Sequence, residues 1–95
     1  MTDHIIRTRA LRLAGARAVA KWGQASQLEM VQEECAELIA ALNRVKRGRV
    51  DRAAVAEEAA DVYITLEAVR CWLGDAAVDE AIERKLARLA ERLAK

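Results

Sequence analysis

Apolar residues recur along the chain at alternating three- and four-residue steps, the spacing that lines one side of a helix and forms the seam of a bundle. One stretch carries Leu28, Val31, Cys35, Leu38, Leu42 and Val45, and a second carries Val55, Ala59, Val62, Leu66, Val69 and Leu73. A third repeats the pattern less cleanly at Ala81, Ile82, Leu86, Leu89 and Leu93. Glycines punctuate these stretches. Gly23 precedes Ser26-Gln27-Leu28-Glu29, which reads as a capping box. Gly48 follows the basic turn Arg44 to Arg47, suited to the negative end of a helix, and Asp51 then stands ready to cap. Gly74-Asp75 forms another stop-and-cap pair. The pattern predicts helices over 4–22, 27–47, 52–73 and 76–94, with Gly15 inside the first as a point of close packing. Short connections make successive helices antiparallel neighbours, so the expected fold is an all-α antiparallel four-helix bundle.

Composition strengthens the helical reading and adds a second expectation. No proline interrupts the 95 residues, and alanine, the best helix former, supplies much of the 54% hydrophobic fraction. Alanine buries little apolar area and phenylalanine is absent, so the core is thin for its length. A single domain over 1–95 is expected, with its core completed by homo-oligomerisation.

Charge and cysteine usage narrow the function classes. Sixteen basic and fifteen acidic residues leave a formal charge of +1, which speaks against a nucleic-acid or membrane-surface binder. The arginines of the first helix (Arg7, Arg9, Arg12, Arg17) come without a nucleic-acid reading motif and suit a solvated or intersubunit face better. No apolar run reaches the ~18 to 20 residues of a transmembrane helix, and the N-terminus lacks a signal-peptide core. Cys35 and Cys71 match no metal-ligand spacing, and on antiparallel neighbours they lie at different heights. Free thiols and no export signal point to the cytoplasm.

The candidate chemistry lies in two acidic clusters, Glu33-Glu34-Cys35-Ala36-Glu37 and Glu57-Glu58-Ala59-Ala60-Asp61. Glu34 and Glu37 are three residues apart and share a face, as do Glu58 and Asp61. At ~100° per residue, Glu34 and Glu58 flank the apolar stripes. Folding the two helices back about a turn near residue 49 brings all four carboxylates into a band of roughly 10 Å at ~1.5 Å rise per residue. Acidic residues are common on solvated helix faces, and either cluster alone reads as surface. Two clusters at matched heights beside the core read instead as ligands for a hard cation, Mg²⁺ or Mn²⁺. A ferritin-like di-iron centre needs Glu-x-x-His pairs, and the only histidine is His4.

The spacing EExxE, twenty residues, ExxD resembles the MazG-like family of all-α nucleoside triphosphate pyrophosphohydrolases. The similarity extends from Trp22-Gly23 and Gln27 through Met30 to Leu42, Asp61-Val62-Tyr63-Ile64 and Lys85-Leu86-Ala87-Arg88-Leu89, covering about residues 20–92. The Cys-Pro-Trp-Asp stretch of longer family members is missing. The resemblance implies that Glu34, Glu37, Glu58 and Asp61 ligate Mg²⁺, with Mn²⁺ as a substitute. Glu33 becomes an accessory ligand or the group that orients or deprotonates the attacking water, so Glu33 and Glu34 are the catalytic candidates. The implied reaction hydrolyses a (d)NTP between the α- and β-phosphates, giving (d)NMP and pyrophosphate, with nucleotide-pool house-cleaning as the implied role. The family also implies a homodimer or homotetramer. Lys85 and Arg88 are the first candidates for binding substrate phosphates, followed by Arg92 and Lys21. Trp22, near Gln27, and Trp72 offer stacking faces for a base or serve as core or interface anchors. Two other readings remain: a phosphoribosyl-ATP pyrophosphohydrolase-like enzyme and a non-catalytic helical dimerisation module.

Overall fold

The computed structural model describes residues 3–49 and 51–95 and is helical, with no strand among the described residues. Five segments follow one another: α1 (His4–Trp22), α2 (Gln24–Lys46), α3 (Arg52–Thr65), α4 (Glu67–Leu73) and α5 (Asp75–Leu93). Helices α2 and α3 form a hairpin and share the most extensive packing in the chain. Helix α1 lies against α2, α3 and α4, which closes a small core. Helix α5 packs its backbone on α4, meets α1 through the Arg12–Asp75 ion pair, and stays outside that core.

The caps explain most of the boundaries. Asp3 accepts a hydrogen bond from the Ile5 amide at 2.8 Å and starts α1, while Asp51 accepts one from the Ala54 amide at 3.0 Å and starts α3 as its sequence position predicts. Helix α2 stops in a Schellman-type turn, with Arg49 N donating to Arg44 O and Gly48 N to Val45 O, both at 2.9 Å. Losing the Asp51 cap by Asp51→Ala should cost about 1 kcal/mol. Thermal unfolding followed by circular dichroism checks this, and an unchanged midpoint would contradict the assigned cap.

Two expected starts move. Helix α2 begins at Gln24, so Ser26 and Glu29 lie inside it and form no capping box; Gly23 ends α1 and opens α2 by itself. Gly74 does the same between α4 and α5, leaving Asp75 in the first turn of α5 rather than at its cap. Gly23 has φ 93°, ψ 150° and Gly74 has φ 93°, ψ 142°. This region is essentially restricted to glycine, and it lets one residue turn a corner that otherwise takes a loop.

The stretch expected as one helix over 52–73 is broken at Leu66. The Thr65 hydroxyl donates to Asp61 O at 2.9 Å and lies 3.3 Å from Val62 O, a back-bond that bends helices. Past it, Val69 N donates to Leu66 O at 3.0 Å, a three-residue step, and Arg70 N reaches Leu66 O only at 3.4 Å. The buried face turns with the bend. Val55, Ala59 and Val62 are half-buried, but Leu66 and Leu73 are exposed, and Glu67 and Ala68 take the inner positions.

The core is as thin as the composition predicts. The buried apolar residues among those described are Val31, Ala41 and Ala68. Gly15 lets α1 and α4 approach so closely that a Cβ at residue 15 would overlap Glu67 Cβ. Beside this contact Arg12 Nη1 donates to Glu67 Oε2 at 2.6 Å, and Glu67 is buried. Buried Arg70 donates to Asp75 at 3.1 Å and to Asp79 at 2.7 Å, tying α4 to α5 across the Gly74 corner. Burial alone would lower the Arg70 pKa; the hydrogen bonds and charges of Asp79 and Asp75 outweigh it and hold the guanidinium charged.

Candidate metal centre

Helices α2 and α3 present the carboxylates because the two stripes beside them pack against each other. Val31, Cys35 and Leu38 turn inward from α2, and Val55, Ala59 and Val62 turn inward from α3. That packing leaves Glu34 and Glu58 half-buried at the seam and Asp61 exposed one turn along α3. Glu34, Glu58 and Asp61 each offer a carboxylate oxygen, and the three oxygens lie within 4.8 Å of one another. Of the four carboxylates expected in one band, these three converge.

Glu37 and Glu33 stand outside that group, both exposed on α2. Their influence is electrostatic. Desolvation raises the Glu34 carboxyl above its ordinary value of 4.5, and the charges of Asp61, Glu58, Glu37 and Glu33 push it further in the same direction. Among the described residues, no arginine or lysine comes within 4 Å of any of these carboxylates; the ion pairs join Arg12 and Arg70 to Glu67, Asp75 and Asp79 instead. The protein therefore gathers three acidic groups, and among the described residues no arginine or lysine pairs with them. An all-oxygen donor set of this kind, open to solvent on one side, suits Mg²⁺, which keeps several waters and takes few protein ligands.

The repulsion has a stability consequence. A carboxyl with a raised folded-state pKa contributes stability that is present below its unfolded value and lost as pH rises through the folded value. In metal-free protein, Glu34→Gln should therefore melt above the wild type, and the difference should widen as pH rises from about 4.5 toward neutrality. Saturating Mg²⁺ should reverse the order by stabilising the wild type more. Melting curves in chelator and in Mg²⁺ test this, and a difference that ignores both pH and metal would refute it.

The remaining candidates lie on other elements. Lys85 and Arg88 are exposed on α5, which touches neither α2 nor α3, and Lys85 borders an apolar groove with Leu86 and Leu89. Trp22 is exposed at the end of α1, with the Lys21 ammonium 5.4 Å from its ring centre. Gln27 is half-buried and lines a narrow cleft with Gly15, Ile64 and Thr65. The structure thus unites Glu34, Glu58 and Asp61, sets Glu33 and Glu37 at their edge, and holds the basic and aromatic candidates on separate elements.

No protein-family model, curated protein or solved structure matches this chain. The assignment of the centre stands on its donor chemistry.

The ion-pair cluster of Arg12, Glu67, Arg70, Asp75 and Asp79 is the polar feature that sequence reasoning missed. Gly15 was its one available signal, because a glycine in mid-helix marks a close neighbour without saying which residue that is.

Proposed function

We propose that the chain is a Mg²⁺-dependent nucleoside triphosphate pyrophosphohydrolase of the MazG-like kind, converting (d)NTP to (d)NMP and pyrophosphate and working as a homodimer or homotetramer. The observation that carries this reading is the Glu34–Glu58–Asp61 cluster, three carboxylate oxygens within 4.8 Å on paired helices, with no ion pair to any of them among the described residues. The EExxE and ExxD motifs that supply these residues carry the resemblance.

In this reading Glu34, Glu58 and Asp61 hold the metal, and Glu37 adds negative charge at the edge of the centre. Bound Mg²⁺ supplies charge neutralisation on the phosphates and a more acidic water. Glu33, exposed and adjacent in sequence to Glu34, is assigned to orient the attacking water or take its proton. Glu34 is the second candidate for that role. Lys85 and Arg88 remain the first candidates for phosphate contact. Because α5 packs on neither carboxylate helix, the substrate must span the gap or the α5 of a second chain must bring these cations in. Trp22 and Gln27, with Lys21, are assigned to the nucleoside end.

Full-length protein incubated with Mg²⁺ and a panel of (d)NTPs, with phosphoribosyl-ATP alongside, tests the proposal by pyrophosphate release. Release from one or more triphosphates supports it. Cleavage of phosphoribosyl-ATP alone replaces it with the biosynthetic hydrolase. No cleavage and no Mg²⁺ binding leave a helical dimerisation module.

A further inference from the structure

Much of the apolar side of helix α5 is left uncovered by its own chain. Ile82, Leu86, Leu89 and Leu93 recur at four-, three- and four-residue steps, the spacing of a helix–helix seam. They remain 47%, 59%, 41% and 75% exposed. Leu73 prolongs the strip past the Gly74 corner, at 53%. Between Leu73 and Leu89 runs an open groove of about 400 Å³ with walls that are almost wholly apolar.

The molecule as a whole is under-buried. Its surface is 7555 Å², whereas a compact folded chain of this size exposes about 5,400 Å². Its radius of gyration is 15.6 Å, against the ~12 Å of a compact domain of this length. The excess, roughly 2,000 Å² per chain, exceeds the ~800 Å² that each partner contributes to a standard interface and falls in the range of obligate homodimers.

Charge decides between occupants. Helix α5 carries five acidic and four basic residues, a mixed and nearly neutral set. A nucleic acid or an anionic lipid surface calls for a basic face, and a strongly charged protein partner calls for the opposite charge. A mixed face is self-complementary, as a twofold interface requires.

We propose that the apolar strip from Leu73 to Leu93 is covered by a second copy of this chain in an isologous, twofold interface. This deepens the oligomer part of the proposed function by naming its surface, and it is independent of hydrolysis. A mass measurement does not register catalysis, so the two can fail separately.

The test is light scattering on the full chain at micromolar concentration, with helix content followed by circular dichroism. The wild type should have twice the chain mass or a higher even multiple. The double variant Leu86→Glu, Leu89→Glu should fall to half the wild-type mass or less, whereas Arg84→Ala, away from the strip, should leave it unchanged. Should the double variant lose its helices, hydrogen exchange on the wild type decides, because amides of 78–93 must gain protection as concentration rises. A monomeric wild type would overturn the proposal and leave the strip to a different protein. An oligomer that survives the double substitution with its helices intact, or exchange at 78–93 that ignores concentration, would also overturn it.

Discussion

Asp61→Asn and Glu58→Gln are each expected to reduce Mg²⁺-dependent triphosphate cleavage by at least about 100-fold, close to 2.7 kcal/mol at ~1.36 kcal/mol per decade. Helix content should stay at the wild-type level. Each substitution removes one of only three carboxylates whose oxygens converge within 4.8 Å. The neutral amide keeps the shape of the side chain and discards the charge that a hard cation needs. Neither residue is fully buried or holds a partner by ion pair, so the fold has little to lose. Glu37→Gln supplies the contrast. Glu37 acts on Glu34 through charge but stands outside the converging set, so its loss should weaken turnover less than either of the others. Initial rates of pyrophosphate release at saturating Mg²⁺ decide the matter, and wild-type rates in both Asp61→Asn and Glu58→Gln would dismiss the site.

The second large effect concerns stability. Gly15→Val should destabilise the chain by about 3 kcal/mol, the upper part of the range for overpacking. For a domain of this size that lowers the melting temperature by more than about 10 °C. The added side chain would collide with Glu67 Cβ, an atom fixed to the α4 backbone rather than the end of a flexible side chain. Relief requires moving α1 away from α4, which also pulls Arg12 from its 2.6 Å pairing with the buried Glu67 carboxylate. Valine, β-branched, offers no helix-forming advantage large enough to compensate. A melting temperature within a few degrees of wild type would show that the two helices are not locked at this point.

Helical class and the α2–α3 hairpin were legible in the sequence because each rests on many residues at once. The stripes through Val31 and Leu38 and through Val55 and Val62 set the pairing, and counting from the turn put Glu34, Glu37, Glu58 and Asp61 in one band of roughly 10 Å, from which Glu34, Glu58 and Asp61 converge. What escaped was decided by single residues in three dimensions. Ser26-Gln27-Leu28-Glu29 has the form of a capping box, but Gly23 turns the chain in one step and α2 starts before it. The stripe from Val55 to Leu73 reads as continuous, but the Thr65 back-bond tilts its second half so that Glu67 replaces Leu66 on the inside. Glu37 and Glu34 share a helix face by spacing, as Glu58 and Asp61 do, but only the α3 pair joins the 4.8 Å cluster whole, and Glu37 falls outside it. The apolar seam of α5 was readable too. The pattern marks a face to be covered without saying that the chain's own core would leave it open.

Titration of metal-free protein with Mn²⁺, followed by the electron paramagnetic resonance of the free ion, addresses the central claim most directly, since Mn²⁺ accepts the same oxygen donors as Mg²⁺. The account predicts that wild-type protein depletes the free-ion signal in a saturable way and that the Glu58→Gln, Asp61→Asn double variant does not. A wild-type titration that tracks buffer alone would contradict it.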